Sequence, residues 1–134
     1  MPALSVWAIR LALVQLAAAF AAGAWLLAAR GTPALPLPPW LRPVHLELAL
    51  LGWTLQLAMG VAYWILPRHA SEPARGRTGP AVAALVVFNL GLATAVTGAL
   101  AGRDGLLAAG RTGELAGVLL FAANSWPRLK AFGT

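Results

Sequence analysis

His45-Leu-Glu-Leu-Ala-Leu-Leu-Gly52-Trp53 opens an apolar run that continues through Gln56, Met59-Gly60 and Tyr63-Trp64 to Pro67-Arg68. The run is long enough to cross a hydrocarbon core as a helix, which takes roughly 20 residues. Its histidine is costly to bury in lipid, so His45 is a candidate functional residue on position alone. Working outward, three other stretches have the same character. The four spans are predicted at about 4–29, 43–66, 80–101 and 105–127. The fold class is therefore all-α: four transmembrane helices running up and down in one domain over residues 1–134.

The composition agrees. Only 10 basic and 4 acidic side chains serve 134 residues, of which 60% are hydrophobic. Soluble domains usually carry about a quarter charged residues. The absence of cysteine excludes disulfides, thiolate metal sites and iron–sulfur clusters. The net charge of +6 raises the possibility of nucleic acid, but the basic residues cluster at the ends of apolar runs. That pattern fits membrane topology and lipid headgroups. No basic region precedes the first apolar run, so it reads as a span and not as a removed signal peptide.

Between the spans, Gly31 to Pro43 contains Pro33, Pro36, Pro38, Pro39 and Pro43. It is expected to be non-helical and extended along the surface, with Trp40 at the interface. Arg68 to Gly79 is a short basic connection, and Gly102-Arg103-Asp104-Gly105 a tight turn. Arg68, Arg75, Arg77, Arg128 and Lys130 lie on one side of the membrane, against Arg30, Arg42 and Arg103 on the other. The imbalance predicts cytoplasmic termini in the plasma or inner membrane, with His45 toward the external face. Gly91, Thr94, Gly98 and Gly102 in span 3, with Gly110, Gly113 and Gly117 in span 4, predict close helix packing.

At 100° per residue, His45, Gly52, Gln56, Met59 and Tyr63 share a narrow stripe of span 2, and Glu47 points the opposite way. An imidazole, a gap, an amide and a phenol on one face suit a flat ligand, with Gly52 making room for it. The bland alternative is an interfacial histidine bonded to a carbonyl, with Gln56 and Tyr63 as interhelical glue. On span 4, Arg111 and Glu114 lie three residues apart and are expected to neutralise one another. Glu47 and Arg10 are expected to snorkel or to pair between subunits.

The pattern His45…Gly52-Trp53…Met59-Gly60-Val-Ala-Tyr63-Trp64…Leu66-Pro67-Arg68 resembles the second helix of haem-copper oxidase subunit I and of its small relatives. The segment Leu119-Leu-Phe121-Ala-Ala-Asn124-Ser-Trp126-Pro127-Arg128 resembles the fourth helix of those relatives. The resemblance covers two helices and implies one third of subunit I, a single arc of four. It implies haem b with His45 as an axial ligand, and a role in electron transfer or small-gas binding. Copper or zinc is the lesser alternative. The other histidines of subunit I and its cross-linked His-Tyr pair have no counterpart here, so a complete oxidase is not expected.

His69 lies 24 residues beyond His45, roughly 36 Å along a helix at 1.5 Å per residue, so the two cannot share one haem. A second axial ligand then needs another protomer, another subunit or an exogenous molecule. Arg42, Arg103 and Arg111 are candidate partners for propionates. A homo-oligomer is expected, a trimer ahead of a dimer because three copies supply the twelve spans of subunit I. Respiratory-chain subunits or electron carriers are the other candidate partners, besides the bilayer. The rival readings are a cofactor-free accessory or assembly subunit, and a small proton-coupled transporter working through Glu47 or Glu114.

Overall fold

A computed structural model describes residues 1–67 and 78–129. Arg68, Arg75, Arg77 and Lys130, which entered the topology argument, and His69, weighed as a second ligand, lie outside the described residues. Helix α1 is Ala3–Gly31, and the second span is built from α2 (Leu41–Leu46), a π-helical segment (Glu47–Leu55) and α3 (Gln56–Ile65). Helices α4 (Thr78–Ala101) and α5 (Asp104–Ser125) follow, with a 3₁₀ turn at Trp126–Arg128. No strand occurs among the described residues. Each of the four spans is long and apolar enough to cross a membrane.

Helix α1 packs along the second span, and α4 packs along α5. The first seam is made by small residues of α1. Ser5, Ala8, Ala12 and Ala19 are buried, and Gly23 meets the His45 ring. The second is closer still. A Cβ added at Gly91 would lie 2.8 Å from the Gly110 carbonyl oxygen, and one at Gly117 would lie 2.7 Å from the Phe88 backbone nitrogen. Gly98 faces Leu107, and Gly110 faces the Ala95 backbone. The pairs 98/107, 95/110, 91/114 and 88/117 step along both helices by three or four residues, the repeat of an antiparallel helix seam. Gly102 closes the turn between them with φ +63°, a conformation that glycine adopts without steric cost.

Among the described residues, polar ties at three places join the two pairs. The Gln15 amide donates to Asn89 Oδ1 at 3.1 Å, and Asn89 donates in turn to the Leu85 carbonyl. Arg111 reaches Glu47. Arg128, 1% exposed, donates to the carbonyls of Tyr63, Leu66 and Pro67, and stacks over the Tyr63 ring at 5.3 Å. It thus satisfies the orphan carbonyls at the end of span 2 and places a cation at the negative pole of that helix. Met59, Tyr63, Ala84, Phe88 and Phe121 form the apolar core beside it.

Two local expectations are corrected. The proline-rich connection is not simply extended: Leu35 donates to the Thr32 carbonyl, Leu41 donates to that of Pro38, and Trp25 Nε1 caps the Pro36 carbonyl at 3.0 Å. The helix also begins before Pro43, at Leu41. Proline is tolerated there because first-turn amides have no partner within the helix.

Candidate functional site

His45 sits at the edge of the seam between α1 and span 2, half-buried. Its Nδ1 lies 2.8 Å from the Ala19 carbonyl oxygen. A carbonyl only accepts, so Nδ1 carries a proton, and in the neutral imidazole Nε2 keeps its lone pair. Gly23, one turn further along α1, leaves space for the ring: a Cβ there would come within 2.8 Å of His45 Cε1.

Two adjoining grooves share His45, Gly23 and Leu27. The larger, about 570 Å³, runs between α1 and span 2 over Leu16, Phe20, Leu50 and Trp53. The smaller, about 310 Å³, ends at Arg30 and Arg42. An apolar slot therefore leads past an imidazole to two guanidinium groups. Volumes of this size fall within the range of small-molecule and cofactor sites.

Beyond His45, the stripe predicted from α-helical geometry does not line this slot. Residues 47–55 form a π-helix, and the Thr54 hydroxyl donates to the Ala49 carbonyl five residues back. A π turn holds more residues than an α turn, so rotation per residue falls below 100°. The face carrying His45 continues through Ala49, Leu50, Trp53 and Thr54. Gly52 and Gln56 turn into the protein instead. A Cβ at Gly52 would sit 3.1 Å from the Gln15 side chain, so its gap is filled from α1. Gln56, fully buried, donates to the Ala8 carbonyl at 3.1 Å. Met59 and Tyr63 belong to the core. The glycine that makes room beside His45 is Gly23, not Gly52.

The arginines also separate. Arg42 lines the smaller groove with His45. Arg103 is exposed at the α4–α5 turn and lines neither groove. Arg111 is bidentate on Glu47, Nε to Oε1 at 3.2 Å and Nη2 to Oε2 at 3.1 Å. This replaces the expected Arg111–Glu114 neutralisation and the expected pairing of Glu47 between subunits. Glu47 faces away from His45, as helical spacing predicts, toward α5. Arg10 stacks over Trp7 at 5.6 Å. Sequence reading missed Arg30, Ala19 and Gly23, although the small-residue positions 8, 12, 19 and 23 of α1 carry a helical period.

Fold and composition together define a membrane protein with four helical spans. Comparison of the chain with family models, with curated proteins and with solved structures gives no match.

Proposed function

We propose that this protein binds haem b in the groove between α1 and span 2, with His45 Nε2 as an axial ligand. The supporting observation is the His45–Ala19 hydrogen bond beside an apolar slot that ends in Arg30 and Arg42. Ligating imidazoles characteristically donate their other ring N–H to a carbonyl or carboxylate, which fixes both tautomer and orientation. Leu16, Phe20, Leu50 and Trp53 supply apolar contact for a macrocycle, and Arg30 and Arg42 supply charge for its propionates. Bound haem would supply one-electron chemistry or a gas-binding iron. Zinc is served less well, because structural and catalytic zinc sites use three or four protein donors. Among the described residues no three His, Cys, Asp or Glu side chains gather.

Bound there, haem would serve electron transfer or small-gas sensing, and a second protomer or an exogenous molecule would supply any further iron ligand. Both termini face the cytoplasm in this reading, on the charge imbalance between the loops. The test is an absorption spectrum of protein purified after expression with ample haem. A Soret band is expected that is lost in His45→Ala and retained in His69→Ala. A band unchanged by His45→Ala overturns the assignment. No band at all favours a cofactor-free accessory subunit.

A further inference from the structure

We propose that Glu114 is an exchangeable proton-binding site within the membrane, independent of any cofactor at His45. Glu114 stands halfway along the 22-residue helix α5 and is 3% exposed. Its Oε1 is buried and has no hydrogen-bond partner. Glu47, 6% exposed, faces the same place from span 2. One guanidinium serves these two carboxyl groups.

The geometry says which of them it neutralises. Arg111 places Nε and Nη2 on the two oxygens of Glu47, the fork arrangement that arginine makes with an ionised carboxylate. The fork thus commits the Arg111 charge to Glu47. A second carboxylate would leave one uncompensated negative charge in a low-dielectric surround, at a cost of several kcal/mol. Protonation removes that cost, because a neutral carboxyl carries no net charge to desolvate.

Among the described residues, the other acids and bases of the neighbouring helices stand elsewhere: on span 2, Arg42 and His45 line the groove beside α1 and Tyr63 lies in the core under Arg128. Helix α4, which backs Glu114 through Gly91, contains no titratable side chain. On α1 the ionisable residues are Arg10 and Arg30, both exposed and away from this gap. On α5 the only other acid, Asp104, is exposed at the helix start.

The site also has an outlet. A groove of about 340 Å³, floored by Leu51, Leu55, Leu115 and Val118, contains both Arg111 and Glu114. The Arg111 side chain is 55% exposed along it. The buried Glu114 carboxyl thus borders a groove that also carries the exposed Arg111. Leaving, the proton passes from the Glu114 carboxyl to a water or another base entering that groove, and the carboxylate left behind competes with Glu47 for Arg111.

Infrared spectroscopy of the full chain in bilayers tests this. A carbonyl-stretch band of a protonated carboxylic acid is expected at neutral pH, shifting in D₂O and absent in Glu114→Gln. Glu47→Gln should remove it too, because the released Arg111 then pairs with an ionised Glu114. Circular dichroism checks that each variant is helical. If Glu114→Gln fails to fold, Glu114→Asp decides: a band displaced in frequency supports the site and an unmoved band overturns it. A band that survives Glu114→Gln, fails to shift in D₂O, or is missing from the wild type overturns it as well.

Discussion

Arg128 shows how far a residue's place can differ from its count. As a positive charge near the end of span 4 it contributes to the orientation of the chain. In the folded protein its guanidinium is buried and holds the carbonyls of Tyr63, Leu66 and Pro67. Arg128→Ala should therefore lower the unfolding free energy by about 3 kcal/mol, since it leaves several carbonyls at a buried helix end without a donor. Arg128→Lys keeps the charge but loses the planar fork, and should recover part of that stability. Thermal unfolding in detergent measures both, and an Arg128→Ala variant as stable as the wild type would refute the capping role. His45 was legible as an unusual residue because histidine in a span is rare. Its partner Ala19 was not, because the acceptor is backbone and any residue supplies one.

At the scale of elements, the four spans were legible because hydropathy alone marks them, and every end came within about two residues of its predicted place. The α4–α5 seam was legible too, since Gly91, Gly98, Gly110 and Gly117 recur at helical spacing. Gly110→Ala should cost about 1–3 kcal/mol, because its new methyl meets the Ala95 backbone, which cannot give way as a side chain can. Gly105→Ala, with nothing within 4 Å of its Cβ, is the matched control and should be near neutral. Chemical unfolding of the two variants separates them. What sequence did not disclose was the π segment. Glu47–Leu55 has ordinary helix-forming residues, so the wider turn comes from tertiary packing, with Glu47 drawn to Arg111 and Gly52 to Gln15. That one change moved Gly52 and Gln56 off the face of His45.

For the molecule as a whole, the two helix pairs meet through few polar ties, and large apolar side chains such as Val14, Phe20 and Leu27 stand exposed on α1. Phe20 and Leu27 also border the His45 groove, so a neighbouring copy seated there would bring a second imidazole toward the first. Native mass spectrometry in mild detergent should find a trimer or a dimer, and a dominant monomer would refute ligation between protomers. The long flank of the groove carries exposed apolar side chains, Phe20, Leu27 and Leu50, which in a four-span membrane protein stand against acyl chains. A ligand that enters by this flank dissolves in the bilayer first and arrives sideways, so its occupancy follows the ratio of ligand to lipid rather than its molarity in the buffer. Diluting such a protein with extra lipid, at constant total ligand, should empty the groove; adding water should not.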